Sequence, residues 1–148
     1  MTTILWLRRD LRLADQAALA AAAAEGPVVP VYILDDETPK HRTMGAASRW
    51  WLHHSLASLD ERLRAKGSRL IFRQGKSDEV VAALAKEVGA TRVHALHHYE
   101  PWWLNAEKAV AAKLDLVLHD GNYLAPAGSV FFDDTAPSEI YTPFWRAL

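Results

Sequence analysis

The sequence predicts an α/β fold, a Rossmann-like three-layer sandwich in which helices flank a five-stranded parallel sheet. Two observations carry this. Strand-like runs recur at 4–7, 28–34, 69–73, 92–96 and 114–119, and each of the four intervals between them holds a helical pattern. Strands joined by helices run parallel, and crossovers of one hand cover both faces of the sheet.

The first run, Ile4-Leu5-Trp6-Leu7, is continuously apolar, as a strand buried on both faces is, and it breaks at once into Arg8, Arg9, Asp10 and Arg12. Ligands of open α/β sheets gather outside the carboxyl ends of strands, so this charge cluster marks the expected binding edge. An alanine-rich stretch over 15–24 follows, with the propensity for a helix that packs close to a sheet. Asp15 is its expected cap and Gly26-Pro27 its stop. The second run ends at Asp35 and Asp36. A helix over 47–65 sets Leu52, Leu56, Leu59 and Leu63 on one stripe, closed by Gly67. Consecutive helical residues diverge by about 100°, so one ring of the Trp50-Trp51 doublet, and one of Trp102-Trp103, is expected at the rim of the packed face. Ser77 as cap, then Val80, Val81, Leu84, Val88 and Gly89, spell a third helix. Glu100 follows the fourth strand run, and Pro101 opens a fourth helix towards Lys113. From 120 to 141 Gly121, Pro126, Gly128 and Pro137 punctuate a stretch with no period, which reads as a linker-like loop. Thr142-Pro143 begins a further helix that the last residues do not complete, so the sequence is expected to be part of a longer chain.

A length of 148 residues predicts one domain, 1–148, with a core that buries roughly 70% of the unfolded surface. Half the residues are apolar and 24% charged, which is far from a disordered composition. A net charge of −1 supplies no cationic field, so DNA binding by this piece alone is not expected. With no cysteine, disulfides and thiolate catalysis drop out, and a cytoplasmic location is the expectation. No apolar run approaches the ~20 residues of a membrane span.

The first βα turn carries arginines where a dinucleotide site would carry Gly-x-Gly-x-x-Gly, and there is no Walker loop. The adjacent pairs His53-His54 and His97-His98 lack converging metal spacing, no His-Glu-x-x-His occurs, and no serine sits in a nucleophile elbow. No metal ligand or catalytic residue is therefore assigned. Topology instead brings Asp35, Arg49 and Glu100 to the edge that holds Arg8, Arg9 and Asp10, although each taken alone also fits a solvated strand end. His98 suits a hydrogen bond to, or stacking on, a flat ligand.

Five ordered segments resemble the amino-terminal domain of DNA photolyases and cryptochromes. They are Leu5-Trp6-Leu7-Arg8-Arg9-Asp10-Leu11-Arg12-Leu13, Val28-Val29-Pro30-Val31-Tyr32-Ile33-Leu34-Asp35, Ser48-Arg49-Trp50-Trp51-Leu52-His53-His54-Ser55-Leu56, Tyr99-Glu100-Pro101 and Thr142-Pro143-Phe144-Trp145-Arg146. The resemblance implies a light-harvesting domain that holds an antenna pigment and passes excitation to FAD in a separate helical domain, absent from these residues. In a deoxyribodipyrimidine photolyase that second domain also meets damaged DNA, so the piece is not expected to repair DNA unaided. By the same resemblance a deazaflavin or FMN lies at the sheet's carboxyl edge, with Arg9, Asp10, Asp35, Arg49, His98 and Glu100 as matching positions. Folate-binding members carry an Asn-Glu pair after Tyr-Glu; Trp102-Trp103 stands there here, which favours deazaflavin or FMN over methenyltetrahydrofolate. The stretch 130–137 also departs from the family's glycine-containing link.

Three rivals stand beside this reading: a cryptochrome photosensor domain, a nucleotide-binding stress or signalling domain, and a docking module with no ligand. Self-association through a face that otherwise meets another domain is also expected.

Overall fold

The computed structural model describes residues 1–39, 43–133, 136–137 and 141–147. In chain order these form β1 (Thr3–Leu7), α1 (Ala17–Glu25), β2 (Val28–Leu34), α2 (Ala46–Arg64), β3 (Ile71–Gln74), α3 (Ser77–Val88), β4 (Arg92–Leu96), α4 (Pro101–Ala111), β5 (Asp115–His119), β6 (Phe131–Asp133), β7 (Ala136–Pro137) and α5 (Tyr141–Ala147). β1 to β5 make one parallel sheet in the order β3-β2-β1-β4-β5. The chain winds outward from β1 through β2 to β3, then returns to β4 beside β1. Strand order therefore reverses between β1 and β4, which makes their carboxyl ends the switch-point crevice.

The alternation of β1 divides the core in two. Ile4 and Trp6 join Val31, Val81, Leu84, Val93, Ala106 and Val110 under α3 and α4, whereas Leu5 and Leu7 join Ala18, Tyr32, Leu59, Leu63 and Leu96 under α1 and α2. Both faces of this central strand are dry, which is why its sequence is apolar without interruption.

Several boundaries differ from the sequence reading. Asp15 is not the cap of α1, because it takes a left-handed conformation (φ 49°) whereas a capping residue is extended. Gln16 caps instead, its side chain accepting from the Ala18 N–H at 3.2 Å. Ser77 is the first helical residue of α3, with Lys76 before it in the capping position. Its hydroxyl is committed elsewhere, to Asp35. The third strand starts at Ile71, two residues late, since the Leu70 N–H is drawn to the Asp60 carboxylate at 2.8 Å. The predicted loop contains the short antiparallel pair β6–β7, and a seven-residue helix follows it. Residues 134–135 and 138–140 of that loop, and Leu148, lie outside the described residues. Both rings of the first tryptophan doublet are exposed, Trp50 at 63% and Trp51 at 68%, because α2 meets the sheet fully only from Leu59 onward.

Candidate functional site at the carboxyl edge of the sheet

All seven residues expected at the binding edge fall on the loops after β1, β2 and β4 or on the first turn of α2. The structure sorts them into groups that build the edge and groups that face outward from it.

Arg8, Asp10 and Asp35 build it. The Arg8 side chain is 1% exposed and does not line an open surface. Its guanidinium lies 4.4 Å from the Trp6 ring centre and 5.4 Å from that of Trp103, whose rings meet edge to face at 6.4 Å. It donates to Glu107 at 2.6 Å and to the Leu96 carbonyl. Burial lowers the Arg8 pKa and Glu107 opposes the shift; a guanidinium with a carboxylate partner stays charged. Asp10 is buried and accepts from the Arg8 N–H at 3.0 Å and from Gln16 Nε2 at 2.6 Å, which ties the turn after β1 to the start of α1. Asp35 accepts from the Glu37 and Thr38 N–H groups, from the Thr38 hydroxyl, and from both the N–H (2.9 Å) and the hydroxyl (2.6 Å) of Ser77. Burial alone would raise its pKa, but the bonds from Ser77 and Thr38 outweigh it and hold Asp35 below the usual range. The first turn of α3 is thus occupied by the chain's own carboxylate.

Arg9 and Arg49 face outward, and Glu100 is half-buried as the partner of Arg9. Arg9, whose side chain is 67% exposed, pairs across the switch point with Glu100. Glu100 Oε2 is enclosed yet has no hydrogen-bond partner among the described residues. On the other side of β1, Arg49 donates to Asp36 at 2.7 Å and to the Met44 carbonyl at 2.9 Å. Beside Arg49 opens a groove of about 450 Å³, walled by Tyr32, Leu34, Leu52, Leu56 and Phe72. Burial, with Asp36 nearby, pushes the Tyr32 hydroxyl up to about 12, so it remains a neutral donor.

His98, two residues beyond β4, is buried at the same edge. Its Nδ1 donates to the Leu96 carbonyl at 2.9 Å, and Asn122 Nδ2 stands 3.4 Å from its Nε2. Burial, followed by repulsion from Arg8, lowers its pKa, so the ring is neutral at pH 7. No group of three or more His, Asp or Glu suited to a metal occurs among the described residues, nor does a helix long and apolar enough to cross a membrane.

Sequence reasoning missed Gln16, Glu107 and Asn122, and gave Ser77 the role of a helix cap where its hydroxyl instead holds Asp35. Glu107 left a trace: it falls in the helical stripe Trp103, Ala106, Glu107, Val110, where a charge requires a buried cation. Asn122 left none, since it joins His97 and His98 only through the return of the chain after β5.

Comparison with known proteins agrees with this architecture. The chain is 38% identical over 98% of its length to a deoxyribodipyrimidine photo-lyase of Agrobacterium fabrum, of which it covers 31%. It is 35% identical over 97% of its length to Cryptochrome-2 of Arabidopsis thaliana, covering 24% of that protein. Among solved structures, a bacterial class III photolyase from Agrobacterium tumefaciens superposes with a TM-score of 0.88 at 36% identity, over 99% of this chain and 31% of that one. An archaeal photolyase from Sulfolobus tokodaii, solved with two FAD molecules, gives 0.74 at 26% identity over 85% of this chain and 31% of its own. The chain thus spans about a third or less of the length of each of these four relatives. The family model for DNA photolyase matches residues 3–148, so with its doubly wound sheet and arginine-rich first turn the chain belongs to the DNA photolyase family.

Proposed function

We propose that the chain is the light-harvesting domain of a deoxyribodipyrimidine photolyase, binding a flat antenna pigment along the carboxyl edge of its sheet. The supporting observation is a pair of ion pairs that flank the end of β1: Arg9 with Glu100 on the β4 side, Arg49 with Asp36 on the β2 side. The ends of β2 and β4 stand roughly 10 Å apart, two strand spacings, a span that a tricyclic ring system fills. Neutral His98 and the saturated carboxylates Asp10 and Asp35 form the floor. The groove beside Arg49 continues the site with largely apolar walls, to which His53, Arg73 and Gln74 add polar groups. Deazaflavin and FMN fit this chemistry better than methenyltetrahydrofolate, because Trp102-Trp103 stands where folate-binding members carry an Asn-Glu pair.

The pigment's excitation would pass to FAD in a helical domain of the longer protein, and damaged DNA would be met only through that domain. A nucleotide-binding signalling domain is disfavoured: the first βα turn, where a glycine-rich phosphate loop would sit, carries Arg8, Arg9 and Arg12 instead, and the amino end of α3 already holds Asp35. A photosensor role draws support from the similarity to Cryptochrome-2, and light-dependent repair of a thymine dimer by the full-length protein separates the two. The direct test of the edge is titration with FMN and a deazaflavin, followed by fluorescence. Wild type should bind, and Arg49→Ala should bind at least about tenfold more weakly, the equivalent of one charge-assisted hydrogen bond. Indifference of wild type to both pigments would leave the docking reading in its place.

A further inference from the structure

Outside the edge itself lies a buried charge, held by an equally buried partner, that the proposed function does not use. Glu107, on the second turn of α4, is 3% exposed and binds three groups from two other segments. Its Oε1 accepts from Arg8 Nη1 at 2.6 Å and from the His98 N–H at 3.1 Å, and its Oε2 lies 2.7 Å from His97 Nδ1. A carboxylate against a guanidinium is ionised and can only accept, so the proton between Glu107 and His97 sits on Nδ1. Because Arg8 also donates to the Leu96 carbonyl, the two charges together hold the last residue of β4 and the first two residues after it.

We propose that Glu107 is the positioning residue of the pigment edge. Through Arg8 it locks the end of β1 to the end of β4, and through His97 and His98 it sets the path of the loop that carries Glu100. It touches no ligand. Glu100 reaches Arg9 because the loop leaves β4 in a fixed direction, and the groups that fix this direction all converge on one carboxylate. The arrangement resembles the outer-shell carboxylates that orient histidines in other sites, where a partner one bond removed decides tautomer and aim. A buried ion pair adds little to stability compared with apolar residues of the same size, so its presence at the topological switch point fits placement better than stability.

The proposal rests on the reading that the pigment lies at this edge, and the readouts are chosen to separate the two. Nitrogen-15 spectra of the 148-residue chain should find the His97 ring in the Nδ1–H form. In Glu107→Gln the amide NH₂ faces that nitrogen and should drive His97 to the Nε2–H form, with the fold retained by circular dichroism. The double variant Arg8→Met with Glu107→Leu removes both members of the buried pair, so that neither is left without its partner, and serves if the single change does not fold. It should speed exchange of the His98 amide at least about tenfold, as expected for loss of a hydrogen bond to a charged acceptor, and weaken FMN binding by a similar factor. An unchanged His97 tautomer in Glu107→Gln, or unchanged His98 exchange in the double variant, overturns the positioning role whatever the pigment does. If wild type binds no pigment while both spectroscopic changes occur, the loop is positioned as proposed and the reading of the edge as a pigment site is what fails.

Discussion

Asp35 is the residue on which the β2 end of the site depends most, because five donors converge on its carboxylate. Replacing it with alanine strands the buried N–H and hydroxyl of Ser77 at the start of α3 and the N–H groups of Glu37 and Thr38 after β2. Asp35→Ala should therefore cost at least about 2 kcal/mol, read as a lowered urea midpoint with an unchanged slope. The histidines make a different prediction. His98 and His119 both have pKa values lowered first by burial, then by repulsion from Arg8 and from His94 respectively. A depressed histidine pKa means that the folded state holds fewer protons than the unfolded one. Their contribution is complete above the ordinary value of 6.5 and declines as pH falls from there towards the lower folded values. Asp35 and Asp78 act in a lower window, since Ser77 and Thr38 overcome burial at the first and Lys113 bonds the second. Their stabilisation is present above the ordinary 3.8 and is lost on further acidification. Urea unfolding at pH 8, 6, 5 and 3 should therefore give two separate falls in stability, and His98→Gln should reduce the upper one. At this scale the sequence disclosed which residues gather at the edge and not what each does there. Arg8 and Arg9 are neighbours of the same type, yet one is sealed between two tryptophans and the other faces water. That division depends on Glu107, ninety-nine positions away from Arg8, and no local pattern carries it.

α2 combines both halves of the problem. Leu59 and Leu63 are buried against the sheet, whereas Leu52 and Leu56 are half-buried and Trp50 and Trp51 stand out from the surface. Leu59→Ala should destabilise by about 2–5 kcal/mol, as a fully packed leucine does. Trp51→Ser should change stability by less than about 0.5 kcal/mol, and it should reduce self-association in sedimentation velocity if this exposed face joins copies of the chain. The leucine spacing made the helix legible. It did not disclose that the contact with the sheet weakens towards the amino end, because periodicity defines a stripe and says nothing of how far the partner extends. The boundaries of α1 and α3 shifted for a similar reason. Asp15 and Ser77 are good caps by type, but a left-handed backbone at one and a tertiary bond to Asp35 at the other gave the position to a neighbour.

For the whole molecule, the run of five strands and four helices was legible because β1 and β2 are uninterrupted apolar runs and the shorter β3, β4 and β5 alternate with clear helical patterns, and parallel order follows from helical crossovers. Which strands are neighbours, and hence where the order reverses, is a tertiary fact. The reversal between β1 and β4 brings Arg9 to Glu100, and this juxtaposition makes the edge a candidate for a flat ligand. The most direct test is a titration of nitrogen-15-labelled chain with FMN, following backbone amide shifts. The expected result is saturable change confined to residues 8–12, 35–36, 49 and 97–100, the loops at the carboxyl edge. Saturable shifts clustered at the opposite end of the sheet, around Ala85, Gly89 and Leu114, or no shift at millimolar FMN, would contradict a pigment site at that edge.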